Sequence, residues 1–143
     1  VVKFINAHCN YVTMAKAVDP GYAKRRKAWR WGRGAEKLAV AALRCRGYRV
    51  LARQYRTKVG EIDLIARRKD VVVFIEVKAR SSLPDGLVAI SPRQQKRIVK
   101  AAGWFLQRHP HLANCSMRFD AIIIVPWRLP RHVRDAWRPE GID

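Results

Sequence analysis

The run Val71-Val72-Val73-Phe74-Ile75-Glu76-Val77-Lys78 is apolar on both of its faces until it reaches Glu76 and Lys78. A strand of that kind belongs at the centre of a sheet with helices covering each side. Side chains alternate along a strand, so Glu76 and Lys78 point the same way. Burying a carboxylate and an ammonium costs several kcal/mol each unless they are paired or hold an ion. The strand that organises the core therefore also carries the first sign of chemistry.

The flanking segments supply the rest of an α/β layer. From Gly32 to Arg46, Leu38, Ala39, Val40, Ala42 and Leu43 recur at helical spacing, and Gly47 supplies a stop. Tyr48 to Tyr55 alternates loosely and Gly60 to Arg67 reads as a second strand. Val71 to Ala79 is the third, reached through Arg68-Lys69-Asp70, a hairpin turn without the best turn residues. Ser81 to Leu87, with Pro84 and Gly86, reads as a loop. Ser91 as N-cap, Pro92 at the first position and Gln94 as capping-box partner open a second helix. It runs to about Gln107, with Ile98, Val99, Ala102, Phe105 and Leu106 as its stripe. Met117 to Val125 is a fourth strand, and the tail from Pro126 is short and mixed. The order helix-strand-strand-strand-helix-strand predicts an α/β fold with a mixed central β-sheet flanked by helices.

Closing the hairpin with Lys69-Asp70 as a two-residue turn pairs Arg68 with Val71 and, further along, sets Asp63 opposite Glu76. Opposed residues share a face with Cβ atoms about 5 Å apart, and two carboxylates that close repel unless a cation lies between them. Asp63 and Glu76 then suit a hard divalent ion, Mg²⁺ or Mn²⁺, with Lys78 orienting an attacking water or steadying phosphorane charge. A one-residue slip would turn Asp63 to the other face. Glu36 lies in line with Val40 and Leu43 on the buried stripe of the first helix. It reads either as a partner of the helix dipole or as an outer metal ligand reaching across the sheet. Gln95, in line with Ile98, Val99 and Ala102, is a candidate to position a phosphate or the water.

Weaker candidates are set apart on physical grounds. Glu61 shares a face with Asp63 but stands at a ladder end, where side chains are often solvated. Asp120 in Arg118-Phe119-Asp120 is expected to pair with a basic neighbour rather than a metal. His8, His109, His111 and His132 lack ligand spacing and are expected at the surface. Gly32-Arg33-Gly34 does not make a phosphate-binding glycine loop, and no Ser-His-Asp arrangement is present.

Charge names the partner. Thirty Lys and Arg stand against eleven Asp and Glu in 143 residues, a formal net charge of +19. Such an excess attracts phosphodiester backbones or anionic lipid surfaces, and for the basic stretch of residues 15–31 a lipid anchor is the poorer match because its apolar face is short. No apolar run approaches the ~18 residues of a membrane-spanning helix. Cys9, Cys45 and Cys115 stand singly, without a zinc-binding pair, which suits a reducing, cytoplasmic setting. Met14-Ala15-Lys16 reads as a natural start, so residues 1–13 read as an added or upstream extension. Residues 1–31 form a basic N-terminal extension, expected to be flexible, with Lys24, Arg25, Arg26 and Lys27 followed by Trp29 and Trp31. This arm is either simply solvated or grips phosphates while a Trp stacks on a base. With Arg33 and Arg80 these four cations are the expected nucleic-acid contacts, and residues 32–143 form the folded domain.

Several of these residues also occur together in a known order. Gly34-Ala35-Glu36, Gly60-Glu61-Ile62-Asp63-Leu64-Ile65, Phe74-Ile75-Glu76-Val77-Lys78-Ala79-Arg80, Gln95, Arg118-Phe119-Asp120 and Val133-Arg134-Asp135-Ala136-Trp137 resemble the YraN family. That family is similar to the PD-(D/E)-x-K nuclease superfamily, which includes restriction endonucleases and archaeal Holliday-junction resolvases. The resemblance spans roughly Gly32 to Trp137. It implies a restriction-endonuclease-like core, with Asp63 and Glu76 as metal-binding acids, Lys78 as catalytic base or stabiliser, and Glu36 as the helical acid completing the site. The departure is at Gln94, where many members of the family carry Lys.

The expected function is magnesium-dependent hydrolysis of phosphodiester bonds in DNA, branched or single-stranded DNA included. Resolvase-like action implies two active sites and hence a homodimer. A catalytically silent nucleic-acid-binding protein of the same fold is the alternative, and an RNA- or ribosome-associated basic protein rests on charge alone.

Overall fold

The computed structural model describes residues 34–81 and 90–139. Helix α1 occupies residues 34–45 and is followed by β1 (Arg49–Arg56), β2 (Glu61–Arg68) and β3 (Val71–Ala79). Helix α2 (Pro92–Gln107), a short 3₁₀ turn (Pro110–Leu112), β4 (Ser116–Ile124) and β5 (Arg131–Val133) complete the order. The strands form one mixed sheet in sequence order, with β3 and β4 parallel and the other neighbours antiparallel. A parallel neighbour needs a crossover, and α2 is that crossover. Among the described residues no helix is long and apolar enough to cross a membrane.

Each helix buries its apolar stripe on one side of the sheet. Ala35, Ala39, Val40 and Leu43 of α1 pack with Leu64, Ala66, Val73, Ile75, Ile122 and Ile124. Ile98, Ala101, Ala102 and Phe105 of α2 pack with Val72, Phe74, Phe119 and Ala121 on the opposite side. β3 alternates between the two cores, and Val72 to Ile75 are completely buried, as a doubly covered central strand requires. By the same alternation Glu76 and Lys78 face α2.

Local chemistry sets the element ends. At the end of α1 the Tyr48 N–H bonds the Leu43 carbonyl and the Gly47 N–H bonds that of Arg44, with Gly47 at φ 78°. This closure needs a left-handed residue, which glycine adopts without a Cβ penalty. The β2–β3 turn has no glycine, and Lys69 takes φ 53° itself, with the Arg67 guanidinium donating to its carbonyl at 2.8 Å. Ser91 caps α2 by accepting from the Gln94 N–H at 3.3 Å. The reciprocal half of the capping box is not made, because the Gln94 side chain is engaged elsewhere.

Four expectations are corrected. The tail beyond Pro126 contains a strand, β5, pairing Ala121–Ile123 with Arg131–Val133. His132 on that strand is not a surface residue: its side chain is 4% exposed. His109 is half-buried and stacks on Phe105 with ring centroids 4.0 Å apart. Leu38, counted in the apolar stripe, points outward and is 51% exposed. A strand of three residues has too short a pattern to read, and pairing with β4 is what buries His132. The expected arm and its cations Lys24, Arg25, Arg26, Lys27 and Arg33 lie outside the described residues, as do His8 and most of the loop after Ser81.

Gly60 fixes the approach of α2 to the start of β2. A Cβ at this position would collide with the Arg97 carbonyl. Both are backbone groups of packed elements and neither yields easily, so Gly60→Ala is expected to cost about 1–3 kcal/mol in chemical denaturation. The same close approach holds the first turn of α2, and with it Gln94, over the ends of β2 and β3.

Candidate functional site

The β2–β3 ladder keeps the register that the two-residue turn dictates, from Arg68 opposite Val71 to Leu64 opposite Ile75. There it stops. β2 continues paired with β1 to Glu61, and β3 continues paired with β4 to Ala79. The two central strands therefore part where Asp63, Glu76 and Lys78 lie. Asp63 fills the breach: its Oδ2 accepts from the Val77 N–H at 2.8 Å, replacing a ladder carbonyl. The expected direct opposition of Asp63 and Glu76 thus becomes a side-chain bridge at a fork between strands.

Glu76 is 6% exposed and bonds the Lys78 ammonium through Oε1 at 2.7 Å. Gln94 at the start of α2 touches both partners. Its Nε2 donates to Glu76 Oε1 at 2.5 Å and its Oε1 accepts from Lys78 Nζ at 3.3 Å. Burial, reinforced by the nearby Glu76 carboxylate, pushes the Asp63 carboxyl up to about 7, although the Val77 N–H and Lys78 pull it down. A partly buried carboxyl raised by desolvation and by a second acid would be favoured in its charged form by a cation beside it. Two hard oxygen donors beside an ammonium can take up a divalent cation and present a proton donor next to it.

The other candidates divide clearly. Glu36 does not join the two acids: Gln54 donates to it at 2.8 Å and Arg53 pairs with it at 3.3 Å. Among the described residues no group of three or more His, Cys, Asp or Glu is close enough to hold a metal. Glu36 is nevertheless tied to the site's strand, because Arg53 and Tyr55, which flank Gln54, pair with Leu64 and Ile62 on either side of Asp63. Gln95 turns away and donates to the Ile90 carbonyl at 3.1 Å. Gln94 occupies the place expected for it. The signal was present, since Gln94 lies one turn before Ile98 and in line with Ala101, Ala102 and Phe105, the residues α2 buries. Glu61 is exposed and pairs with Arg56 at 3.6 Å. Arg80, just past the end of β3, is exposed beside the fork with its guanidinium on the Ala79 carbonyl.

Asp120 pairs with a basic neighbour, as its sequence setting leads one to expect, and takes no part in the site. Arg118 grips it with two bonds of 2.7 and 2.8 Å, and His132 Nε2 and the Asp135 N–H complete its shell at 2.7 and 3.0 Å. Burial alone would raise this carboxyl, but Arg118, His132 and the Asp135 N–H together hold it below the usual carboxylate range. It faces α1, where Arg118 also reaches the Tyr48 hydroxyl at 3.0 Å.

Comparison with known proteins places this arrangement within a family. The model described as "Uncharacterised protein family UPF0102" matches residues 35–124. A UPF0102 protein of a Bradyrhizobium species is 48% identical over 127 residues, 89% of this chain and 93% of its own length. UPF0102 protein mlr4633 of Mesorhizobium japonicum is 52% identical over 115 residues, 80% of this chain and 92% of that one. UPF0102 protein amb4503 of Paramagnetospirillum magneticum is 48% identical over 115 residues, 78% and 89% of the two chains. The matched span runs from α1 through β4 and so includes the fork with Asp63, Glu76, Lys78 and Gln94. The chain belongs to the UPF0102 family, the YraN-like family its motifs resemble.

Proposed function

We propose that the chain is a divalent-metal-dependent nuclease that hydrolyses phosphodiester bonds in DNA. The observation that carries this reading is the fork: Asp63, Glu76 and Lys78 converge where two central strands separate, with Asp63 raised toward neutrality by burial and by Glu76. Asp63 and Glu76 would hold the cation, and Mg²⁺ suits them because it is commonly bound through one or two carboxylates with water and substrate oxygens filling the rest. Such a cation supplies Lewis acidity toward the scissile phosphate.

The chain's own residues do the remaining work. Glu76 and Gln94 each engage the Lys78 ammonium, leaving one of its three protons to point at a water or a phosphate oxygen. Water attacks phosphorus in line and gives up one proton to solvent, the bond to the 3′ oxygen breaks, and that oxygen takes up a proton to leave as a hydroxyl. The products are a 5′ phosphate and a 3′ hydroxyl. Gln94 is a positioning residue, since it fixes both Glu76 and Lys78.

Incubating the full chain with labelled duplex, single-stranded and four-way DNA, with Mg²⁺ or Mn²⁺, tests the reading. Cleavage is expected with either ion and none in EDTA. Lys78→Ala and Glu76→Gln are each expected to lose about 10²–10³ in rate, the usual cost of removing one preorganised charge. Equal cleavage by wild type and both variants would refute the assignment. Salt-sensitive binding without cleavage by the wild type would instead mark a silent binding protein of the same fold.

A further inference from the structure

Helix α2 carries its charge against its own electrostatics. Arg93, Lys96, Arg97 and Lys100 are all exposed and lie at spacings of three and four, on one face. The first turn holds no acidic residue and the last turn no basic one, the reverse of what a helix dipole favours. Arg93 with Arg97 and Lys96 with Lys100 are like-charge pairs one turn apart, which destabilise a helix. Among the described residues none of the four has an acidic partner. Cations gathered where they cost stability call for an external anion.

Their surroundings say which anion. The four side chains, with Val59 and Pro92, line a groove of about 510 Å³ between α2 and the β1–β2 turn. Through Arg93 and Arg97 it continues into a second hollow of about 430 Å³, whose wall includes Gln94. Gln94 in turn holds Glu76 and Lys78. A row of cations one helical turn apart, running into the hollow that Gln94 and Glu61 also line, matches a run of phosphates on one strand rather than a single small anion. Guanidinium groups suit phosphate oxygens in particular.

We infer that this groove carries the phosphodiester backbone of a nucleic-acid strand toward Glu76 and Lys78. The endpoint rests on the nuclease reading. The binding itself does not.

A 20-bp duplex in EDTA, where nothing is cut, is the probe, titrated across a range of salt concentrations. The triple variant Lys96→Gln/Arg97→Gln/Lys100→Gln is expected to weaken binding at least ten-fold. It should also flatten the dependence of log affinity on log salt by about 2–3, close to one for each phosphate no longer neutralised. The control Lys37→Gln/Arg44→Gln/Arg49→Gln removes equal charge from exposed positions on α1 and β1, and is expected to keep most of the affinity and more of the slope. Thermal melts confirm folding, and Arg93→Gln/Lys96→Gln is a milder replacement should the triple variant not fold. Equal loss in both sets would reduce the effect to net charge and overturn the groove, as would unchanged binding in the groove variant. Preference of the groove for anionic phospholipid vesicles over duplex would also overturn it. Groove-dependent binding by a wild type that never cleaves sinks the nuclease reading alone, and cleavage with groove-independent binding sinks the groove alone.

Discussion

Asp120→Ala is expected to lower the unfolding free energy by about 3–5 kcal/mol, the penalty for stranding the partners of a buried ion pair. The carboxylate is completely buried, and its two oxygens satisfy the Arg118 guanidinium, His132 and the Asp135 N–H. Removing it leaves a guanidinium facing the α1 side of the core and unfastens β5 from β4. A domain of this size has only about 5–15 kcal/mol in total, so the loss is a large share. Because the Asp120 carboxyl is held below 3.8, its stabilising contribution is present above that value and fades as pH falls through its lowered one. Urea unfolding at pH 7 checks the magnitude. A loss below about 1 kcal/mol would mean that the network contributes little more than a surface pair.

The second large effect has the opposite sign. Asp63→Asn is expected to stabilise the metal-free protein at pH 8 by about 2 kcal/mol and to abolish stabilisation by Mg²⁺. In the folded protein the carboxyl is raised from 3.8 to about 7, first by burial and then by Glu76. As pH rises through 3.8 the unfolded chain releases its proton first, so stability is full at low pH and falls until about pH 7. The total withdrawn at high pH is at most about 4 kcal/mol. Asparagine cannot ionise, yet its carbonyl oxygen can still accept the Val77 N–H. Stability of the variant should therefore be flat between pH 5 and 8 where the wild type declines. On the proposed reading Mg²⁺ would bind the ionised form, so it should raise the wild-type melting temperature at pH 8 and leave the variant unmoved. A wild type as stable in EDTA at pH 8 as at pH 5 would remove the physical basis for a cation among these groups.

The contrast between these two aspartates separates scaffold from site. Asp120 is held by the Arg118 guanidinium, His132 and a backbone N–H and stays charged, and it locks an edge strand. Asp63 is undercompensated, with an acid as its neighbour and its best partner a backbone amide. Only the second arrangement would gain from the divalent ion proposed above. Gly60 joins the two levels, because the close approach it permits sets α2 over the fork and lines its cations along the groove.

Much of this could be read from the chain alone, wherever the deciding forces act between near neighbours in sequence. The apolar run from Val71 specified a doubly covered central strand with Val71 and Ala79 as its ends, because alternation and hydrophobicity act residue by residue. The Lys69-Asp70 turn specified the register, since turn length alone sets which residues face each other. Ser91 and Pro92 marked the start of α2, and Arg118 lies two positions from Asp120 on one strand face. Tertiary structure decided the rest. Whether Gln94 or Gln95 reaches the acids depends on how α2 rolls on the sheet, and packing of Ile98, Ala101 and Phe105 settles that angle. The parting of β2 from β3 beyond Leu64 and Ile75 reflects their competing attachments to β1 and β4. Glu36 is claimed by Arg53 and Gln54, and His132 is buried by β5, because each is decided by partners far away in the chain, which no local pattern encodes.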